Sequence, residues 1–187
     1  MIGDLDQDDW DKLLEATSRM MEAPLLIDDQ SGISPNHIRK VARQAKEEYP
    51  DLGMIIVDYL QLMQSSRQQN SREQEIADIS RSMKAIAKEF NVPVIALSQL
   101  NRDLERRADK RPMMSDLRES GALEQDADLI LFIYRDEIYN SESEDKNIAE
   151  INLAKHRNGE IGGCRLAFIG QYTKFANLAL GNDPAMP

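Results

Sequence analysis

The chain has 187 residues and is 41% hydrophobic, which is enough for one domain of ordinary size with a sizeable core. Its net charge of −10 argues against a broad nucleic-acid-binding face, and every apolar run is shorter than the roughly 18 residues that a membrane helix needs. The single cysteine, Cys164, excludes an internal disulfide. The sequence shows neither a signal-like N-terminus nor a Cys/His cluster of metal-ligand spacing. Together these features predict a soluble, cytoplasmic protein with no membrane partner.

The N-terminal part predicts two helices separated by a strand. The stretch DDWDKLLEATSRMM, residues 8–21, places its apolar residues on one helical face. APLLIDD, residues 23–29, is typical of a short buried strand that ends in aspartates. Ser34 is a suitable cap for a second helix that begins with Pro35.

Apolar runs and helical patterns alternate in the middle of the chain. MIIV, residues 54–57, predicts a strand that ends on Asp58. Residues 73–90 space their apolar side chains by three and four, which predicts an amphipathic helix. VPVIALSQL, residues 92–100, predicts the next strand, and DADLILFIYRD, residues 126–136, predicts a third after the short helical segment SGALEQ.

The order of these elements predicts an α/β fold. Continuous apolar strands separated by helices are typical of a mostly parallel sheet that is covered by helices on both faces. Residues 147–178 instead alternate between apolar and polar, with turns at Asn158-Gly159 and Gly170-Gln171, so they predict antiparallel strands at the C-terminus.

Polar side chains follow three of the predicted strands. Asp28 follows the first, Asp58 the second, and Ser98 and Gln99 the third in chain order. Ligands of such sheets bind beyond the carboxyl ends of the strands, so these residues are candidates for one functional edge. An apolar strand that ends in Asp is also the pattern of a Walker B motif, although the same aspartate can simply cap the next helix.

Four longer stretches make the pattern more specific. IIVDYLQLM, VIALSQLNRDLERRADKRP, SDLRESGALEQDADLILFIYRDEIY and AEINLAKHRNGEIGGCRLAF occur in this order. Together they resemble the ATPase domain of bacterial replicative DNA helicases, the DnaB family, over nearly the whole chain from Gly3 to Leu178. DLRESGALEQDADLI is the most distinctive of them.

The resemblance implies a RecA-like P-loop NTPase core and ATP hydrolysis with Mg²⁺. It further implies a homo-hexameric ring that moves along single-stranded DNA at a replication fork and unwinds duplex in the 5′ to 3′ direction. Primase and a helicase loader are the implied protein partners, bound through the full-length protein.

The resemblance also implies catalytic residues. Asp58 matches the Walker B aspartate, which holds Mg²⁺ through water, and Gln99 matches a polar sensor of the γ-phosphate. Lys155 and Arg157, in KHRNG, match fingers that reach a neighbouring subunit's ATP, where a guanidinium offsets charge on the transferring phosphoryl group. The structural alternatives are a capping aspartate, a satisfied polar strand end, and two exposed basic residues beside a turn. We expect His156, between the fingers, to face outward.

A second set of residues matches the family's DNA-binding loop. Arg118, Glu119 and Gly121 lie in LRESG, which in the family faces the central channel of the ring. Arg118 can neutralise a phosphate, and Gly121 lets backbone N–H groups approach one. We expect Glu119 to act through its backbone or by orienting Arg118. The alternative for Arg118 is a surface salt bridge.

The sequence departs from the family in one respect. It contains no G-x-x-x-x-G-K-[ST] motif, which in the family cradles the phosphates. We therefore expect residues 1–187 to be a partial RecA-like domain, from the Walker B strand to the C-terminus, with the N-terminal part absent and the isolated chain inactive and poorly stable. Two alternatives stay open: a non-enzymatic remnant that only oligomerises or contacts DNA, and another RecA-like ATPase such as a recombination or clock protein.

Overall fold

The structure, a computed structural model, describes residues 6–66 and 69–178, with the backbone alone at 118–120. The chain divides into two compact units at Ser31 and Gly32. Within the described residues, no helix is long and apolar enough to cross a membrane.

The N-terminal unit contains one helix and no strand among its described residues. Helix α1, Gln7–Glu22, begins at Asp6, whose carboxylate accepts the N–H of Asp9 at 2.8 Å. The predicted strand at 23–29 is wrong: residues 24–30 form neither strand nor helix, and Ile27 is 77% exposed. A strand needs a hydrogen-bonded neighbour, and in the described part of the chain this segment has none. Asp28 therefore does not end a strand.

Two helices form the core of the second unit. Helix α2, Pro35–Glu48, is capped by the Ser34 hydroxyl, and helix α3, Arg72–Phe90, is capped by the Ser71 hydroxyl. Their apolar faces pack together with the strand that precedes α3, as the spacing predicted. The buried residues of this cluster are Ile38, Ala42, Val57, Leu60, Met63, Ile76, Ile79, Met83, Ile86, Phe90 and Val92.

A parallel pair of strands lies against this core. Strand β1, Ile55–Val57, pairs with β2, Val94–Ala96, with Val57 opposite Ala96. The sequence predicted that helices cover both faces of these strands. For the chain alone this is wrong, because Ile56 is 60% exposed and Ile95 is 46% exposed. An apolar run does not reveal whether a second layer covers its outer face.

The remaining strands form an antiparallel sheet in the order β3-β4-β5-β6. The third apolar run was expected to continue the parallel sheet, and among the described residues it does not, because β3 lies outside the β1–β2 sheet and its neighbour is the antiparallel strand β4. The C-terminal antiparallel strands are confirmed, with their predicted turns. The bounds are β3 Leu129–Tyr134, β4 Ile148–His156, β5 Gly162–Ile169 and β6 Lys174–Asn177.

One irregularity interrupts the β3–β4 ladder. Ile130 lies opposite Lys155, whereas Leu131 lies opposite Leu153, so Ala154 is an extra residue in β4. Such a bulge bends the strand locally.

Short helices connect these sheets. Helix α4, Gly121–Asp126, confirms the predicted SGALEQ helix and is joined to β3 by a two-residue connection. Leu117, Ile130 and Phe132 form a small second cluster beneath it. In the described part of the chain, 3₁₀ turns lie at Leu60–Leu62, Arg102–Arg106, Met114–Ser120, Asp136–Ile138 and Gly170–Tyr172.

Candidate functional site

Asp58 lies at the carboxyl end of β1, where the sequence placed it. The chain leaves the strand through a cis peptide bond between Asp58 and Tyr59 and enters a 3₁₀ turn at Leu60. Within the described residues the Asp58 carboxylate makes no hydrogen bond or ion pair, and the residue is exposed. It does not cap a helix, so the carboxylate is available to a ligand.

Gln99 lies just beyond the carboxyl end of β2, beside the end of β1. The two strand ends are joined by backbone hydrogen bonds from Leu97 N–H to the Val57 carbonyl, 2.9 Å, and from Leu60 N–H to the Leu97 carbonyl, 3.0 Å. The side chain of Gln61 adds a third link, because it binds the backbone of Gln99 and the Ser98 hydroxyl. The exposed Gln99 side chain itself has no hydrogen bond within the described part of the chain.

Lys155 ends on the C-terminal end of α4. Its ammonium donates to the carbonyls of Glu124 at 2.5 Å, Gln125 at 3.3 Å and Ala127 at 2.7 Å. These carbonyls carry the negative end of the helix dipole, which favours a cation there. An ammonium has three N–H donors, so these contacts can use all of them.

Arg157 lies just after β4 and binds the same end of α4. Its Nη2 donates to the Gln125 carbonyl at 3.1 Å, and its Nε lies 3.3 Å from the Asp128 carboxylate. The side chain is 46% exposed. His156, between the two basic residues, is exposed as expected and points its Nδ1 to within 3.2 Å of the Glu160 carbonyl.

The predicted DNA-binding residues lie at the other end of α4. The side chains of Arg118 and Glu119 are outside the described part of the structure. Gly121 is exposed at the first position of α4, with an ordinary φ of −52°, and a Cβ there would meet nothing within 4 Å. Neither strain nor crowding within the described residues therefore requires glycine at this position.

Known proteins resemble this chain in sequence. The family described as "DnaB-like helicase C terminal domain" matches residues 1–177. The chain belongs to this family. Among curated relatives, it is similar to the Replicative DNA helicase DnaB of Pasteurella multocida (58% identical over 180 residues, 96% of this chain) and to that of Geobacillus stearothermophilus (54% identical, 98% of this chain). The chain spans only 38% and 40% of their lengths.

Solved structures share the fold. The chain is similar to a solved structure described as an ATPase domain, with a TM-score of 0.90 and 48% identity, over 94% of this chain and 62% of that one. It matches "The Structure Of A DnaB-Like Replicative Helicase And Its Interactions With Primase" equally well, over 42% of that chain. The predicted α/β class and RecA-like fold are thereby confirmed.

The residues present fit only part of a Mg²⁺–ATP site. Mg²⁺ is usually bound by one or two carboxylates together with water and substrate phosphates, so the free Asp58 carboxylate suits one ligand position. Within the described residues, no group of three His, Cys, Asp or Glu side chains could hold a metal by itself. The phosphate-cradling sequence of P-loop proteins is not in the chain.

Two residues that contact the predicted site were not expected from the sequence. Gln61 links the ends of β1 and β2, and Asp128 pairs with Arg157. Both contacts join residues far apart in sequence, so periodicity carries no signal for them. The structure brings the strand ends of Asp58 and Gln99 together, and Lys155 close to Arg157, but no described hydrogen bond or ion pair joins the first pair to the second.

Proposed function

We propose that this chain is the part of a replicative DNA helicase that carries the Walker B aspartate, the sensor, the DNA loop and the fingers. The whole protein would hydrolyse ATP with Mg²⁺, move along single-stranded DNA and unwind duplex 5′ to 3′. One observation carries the proposal: Asp58 and Gln99 present free side chains, among the described residues, at the hydrogen-bonded carboxyl ends of two parallel strands.

Each side chain would have a separate task at the nucleotide. Asp58 would hold Mg²⁺ through water, and the bound ion would offset negative charge on the phosphates. The Gln99 amide would donate to the γ-phosphate and lose that hydrogen bond after hydrolysis. Lys155 and Arg157 would act on the ATP of a neighbouring subunit. In keeping with this, no described hydrogen bond or ion pair joins either residue to Asp58 of the same chain.

The DNA contact would come from the segment that precedes α4. Arg118 would neutralise a phosphate, Gly121 would admit the DNA backbone closely, and Glu119 would act through its backbone or by orienting Arg118. In a hexameric ring, six copies of this small basic loop would concentrate positive potential in the channel while the outer surface stays acidic.

Further partners follow from the family. We propose that the whole protein works in the cytoplasm as a homo-hexamer, with primase and a helicase loader as partners. One solved relative is described as a DnaB-like replicative helicase and its interactions with primase, which supports the primase partner.

The test is ATP turnover in a hybrid helicase. In it, this chain replaces the 180 matched residues of the Pasteurella multocida relative. We expect ATP hydrolysis that single-stranded DNA stimulates and that Asp58→Ala abolishes. An inactive hybrid that folds and assembles, or turnover that survives Asp58→Ala, would contradict the proposed function.

A second candidate function is favoured by one feature of the sequence. Because the chain has no P-loop motif, it can also be a module that oligomerises or contacts DNA without hydrolysing ATP. Purified alone with Mg²⁺ and single-stranded DNA, the chain should show no turnover under either candidate function, so DNA-stimulated turnover of the hybrid helicase is the result that separates them. Turnover by the chain alone that depends on Asp58 would mean that another of its segments cradles the phosphates.

A further inference from the structure

Asp128 lies in the short connection between α4 and β3, with basic side chains around it. Its carboxylate pairs with Lys84 of α3 and with Arg157 beyond β4, and its backbone carbonyl accepts the N–H of Arg157 at 2.9 Å. Arg157 is therefore held to Asp128 by both its side chain and its backbone.

These contacts fix one edge of the Arg157 guanidinium. Nε forms an ion pair with the Asp128 carboxylate at 3.3 Å and Nη2 donates to the Gln125 carbonyl, while Nη1 has no partner within the described residues. A guanidinium is planar and carries five N–H donors in a rigid fork, so binding one edge sets the direction of the other. The open edge is the part that remains free to meet a phosphate.

Lys155 is bound differently. Its ammonium already donates to three carbonyls of its own chain, whereas the Nη1 donors of Arg157 have no partner among the described residues. Of the two fingers, Arg157 is the one whose present contacts leave it able to reach another subunit without giving them up.

The charge on Asp128 is secured by its neighbours. The hydrogen bond from Lys84, followed by the nearby charges of Lys84, Arg157 and Lys155, holds the pKa of this carboxyl below its usual value of 3.8. Asp128 is therefore ionised at neutral pH and can pair with a cation.

We propose that Asp128 is the positioning residue of the arginine finger: it orients the Arg157 guanidinium so that its free edge faces the phosphate of the neighbouring subunit. This inference rests on the proposed function, because it assigns Asp128 a role in the same hydrolysis step. Asp128 acts through Arg157 and does not itself touch the nucleotide.

The test compares three variants in the hybrid helicase. Asp128→Asn keeps the shape of the side chain and removes its charge. It should lower kcat for DNA-stimulated ATP hydrolysis by about tenfold or more, because small misplacements of a reacting group are costly, and leave the KM for ATP within about twofold. Asp128→Glu keeps a carboxylate and should recover most of the lost kcat. Glu89→Gln is the matched control, since Glu89 also lies between two cations, Arg39 and Arg43, but away from the fingers.

The double variant separates positioning from a purely structural role. With Arg157→Ala already present, Asp128→Asn should change the residual turnover by less than about twofold, because the residue through which Asp128 acts is gone. Independent, multiplying losses would overturn the proposal. So would an unchanged kcat in Asp128→Asn, equal losses in the Asn and Glu variants, or a loss in Glu89→Gln of the same size.

The two proposals fail in different ways. An unmodified hybrid that assembles but does not hydrolyse ATP contradicts the proposed function itself. A hybrid that is active and indifferent to Asp128→Asn, yet loses activity with Arg157→Ala, contradicts only the positioning role of Asp128.

Discussion

Gln61 holds the backbone of Gln99 at both of its polar groups. The side-chain oxygen of Gln61 accepts the Gln99 N–H at 3.1 Å, and its side-chain nitrogen donates to the Gln99 carbonyl at 3.3 Å. Because Gln61 follows Asp58 by only three residues, this one side chain fixes the end of β2 relative to the predicted metal ligand.

Replacing Gln61 should therefore reduce hydrolysis without removing any group that touches ATP. We expect Gln61→Ala to lower kcat of the hybrid helicase by roughly tenfold, since Gln99 would no longer be held in place relative to Asp58. The measurement is steady-state ATP turnover with single-stranded DNA. Gln7→Ala is the control, because the Gln7 side chain bonds to Asp11 within α1. Equal kcat values for the two variants would contradict this role of Gln61.

Arg157→Ala should lower hydrolysis to a small residual rate and spare nucleotide binding. A finger acts on the transition state in another subunit's site, and such residues contribute about 10³–10⁵ in rate. The two quantities to compare in the hybrid are turnover and the Kd of a fluorescent ATP analogue. Arg106→Ala is the control, because Arg106 is 87% exposed and pairs with the nearby Asp103. Turnover that stays at the unmodified rate in Arg157→Ala would show that the finger assignment is wrong.

Arg118→Ala should weaken binding of single-stranded DNA and flatten its dependence on salt. Removing one phosphate contact per site lowers the slope of log affinity against log salt by about one. The assay is fluorescence anisotropy with labelled DNA at several salt concentrations, and Lys12→Ala is the control on α1. DNA-independent turnover should persist. An unchanged slope would place Arg118 outside the phosphate contacts.

Glu75 should make the fold sensitive to acid. The hydrogen bond from the Ser65 N–H, together with Arg72, lowers the pKa of Glu75 below its usual 4.5. A carboxylate with a depressed pKa stabilises the folded state above its unfolded pKa, and that contribution is lost as the pH falls through the folded value. We therefore expect the Glu75→Gln variant to lose less stability than the unmodified protein as the pH falls below 4.5. Circular dichroism during an acid titration measures this loss. The control is Glu73→Gln, a change at an exposed neighbour, which should unfold in acid like the unmodified protein. Identical acid-unfolding curves for the unmodified protein and both variants would refute the prediction.

The isolated chain should associate through the uncovered face of its parallel strands. Ile56 and Ile95 are 60% and 46% exposed on adjacent strands, and contiguous apolar surface of this kind favours association. Size-exclusion chromatography at two concentrations and binding of a hydrophobic dye report this. Ile56→Glu should reduce both signals. A monomer that binds no dye and unfolds cooperatively would contradict the prediction.

The sequence predicted the elements whose signals are local. Helix α3 was placed within one residue of its N-terminus, because Ile76, Ile79, Met83 and Ile86 follow the helical period and are all buried. The Ser34 cap and the hairpin turn at Asn158-Gly159 were likewise found from residue types at fixed offsets.

What the sequence missed depends on partners distant in the chain. An apolar run such as 129–134 has the same composition whether its strand is parallel or antiparallel to its neighbour, and only the pairing with β4 decides between them. The candidate site divides in the same way. Sequence motifs indicate Asp58 and Arg157 as candidates, whereas the contacts made by Gln61 and Asp128 emerge only when the strands and α4 are assembled.

The extra residue Ala154 in β4 decides which side of the sheet Lys155 occupies. Side chains alternate along a strand, so Lys155 would share the side of Leu153 in a regular ladder. The bulge reverses this parity, and Lys155 instead shares the side of Ile130, where α4 lies. Straightening the strand with Ala154 in place would turn Lys155 away from the α4 carbonyls, whereas deleting Ala154 would make Lys155 the direct neighbour of Leu153 and leave it opposite Ile130. The bulge therefore lets β4 carry one residue more than its partner without turning Lys155 to the other side of the sheet.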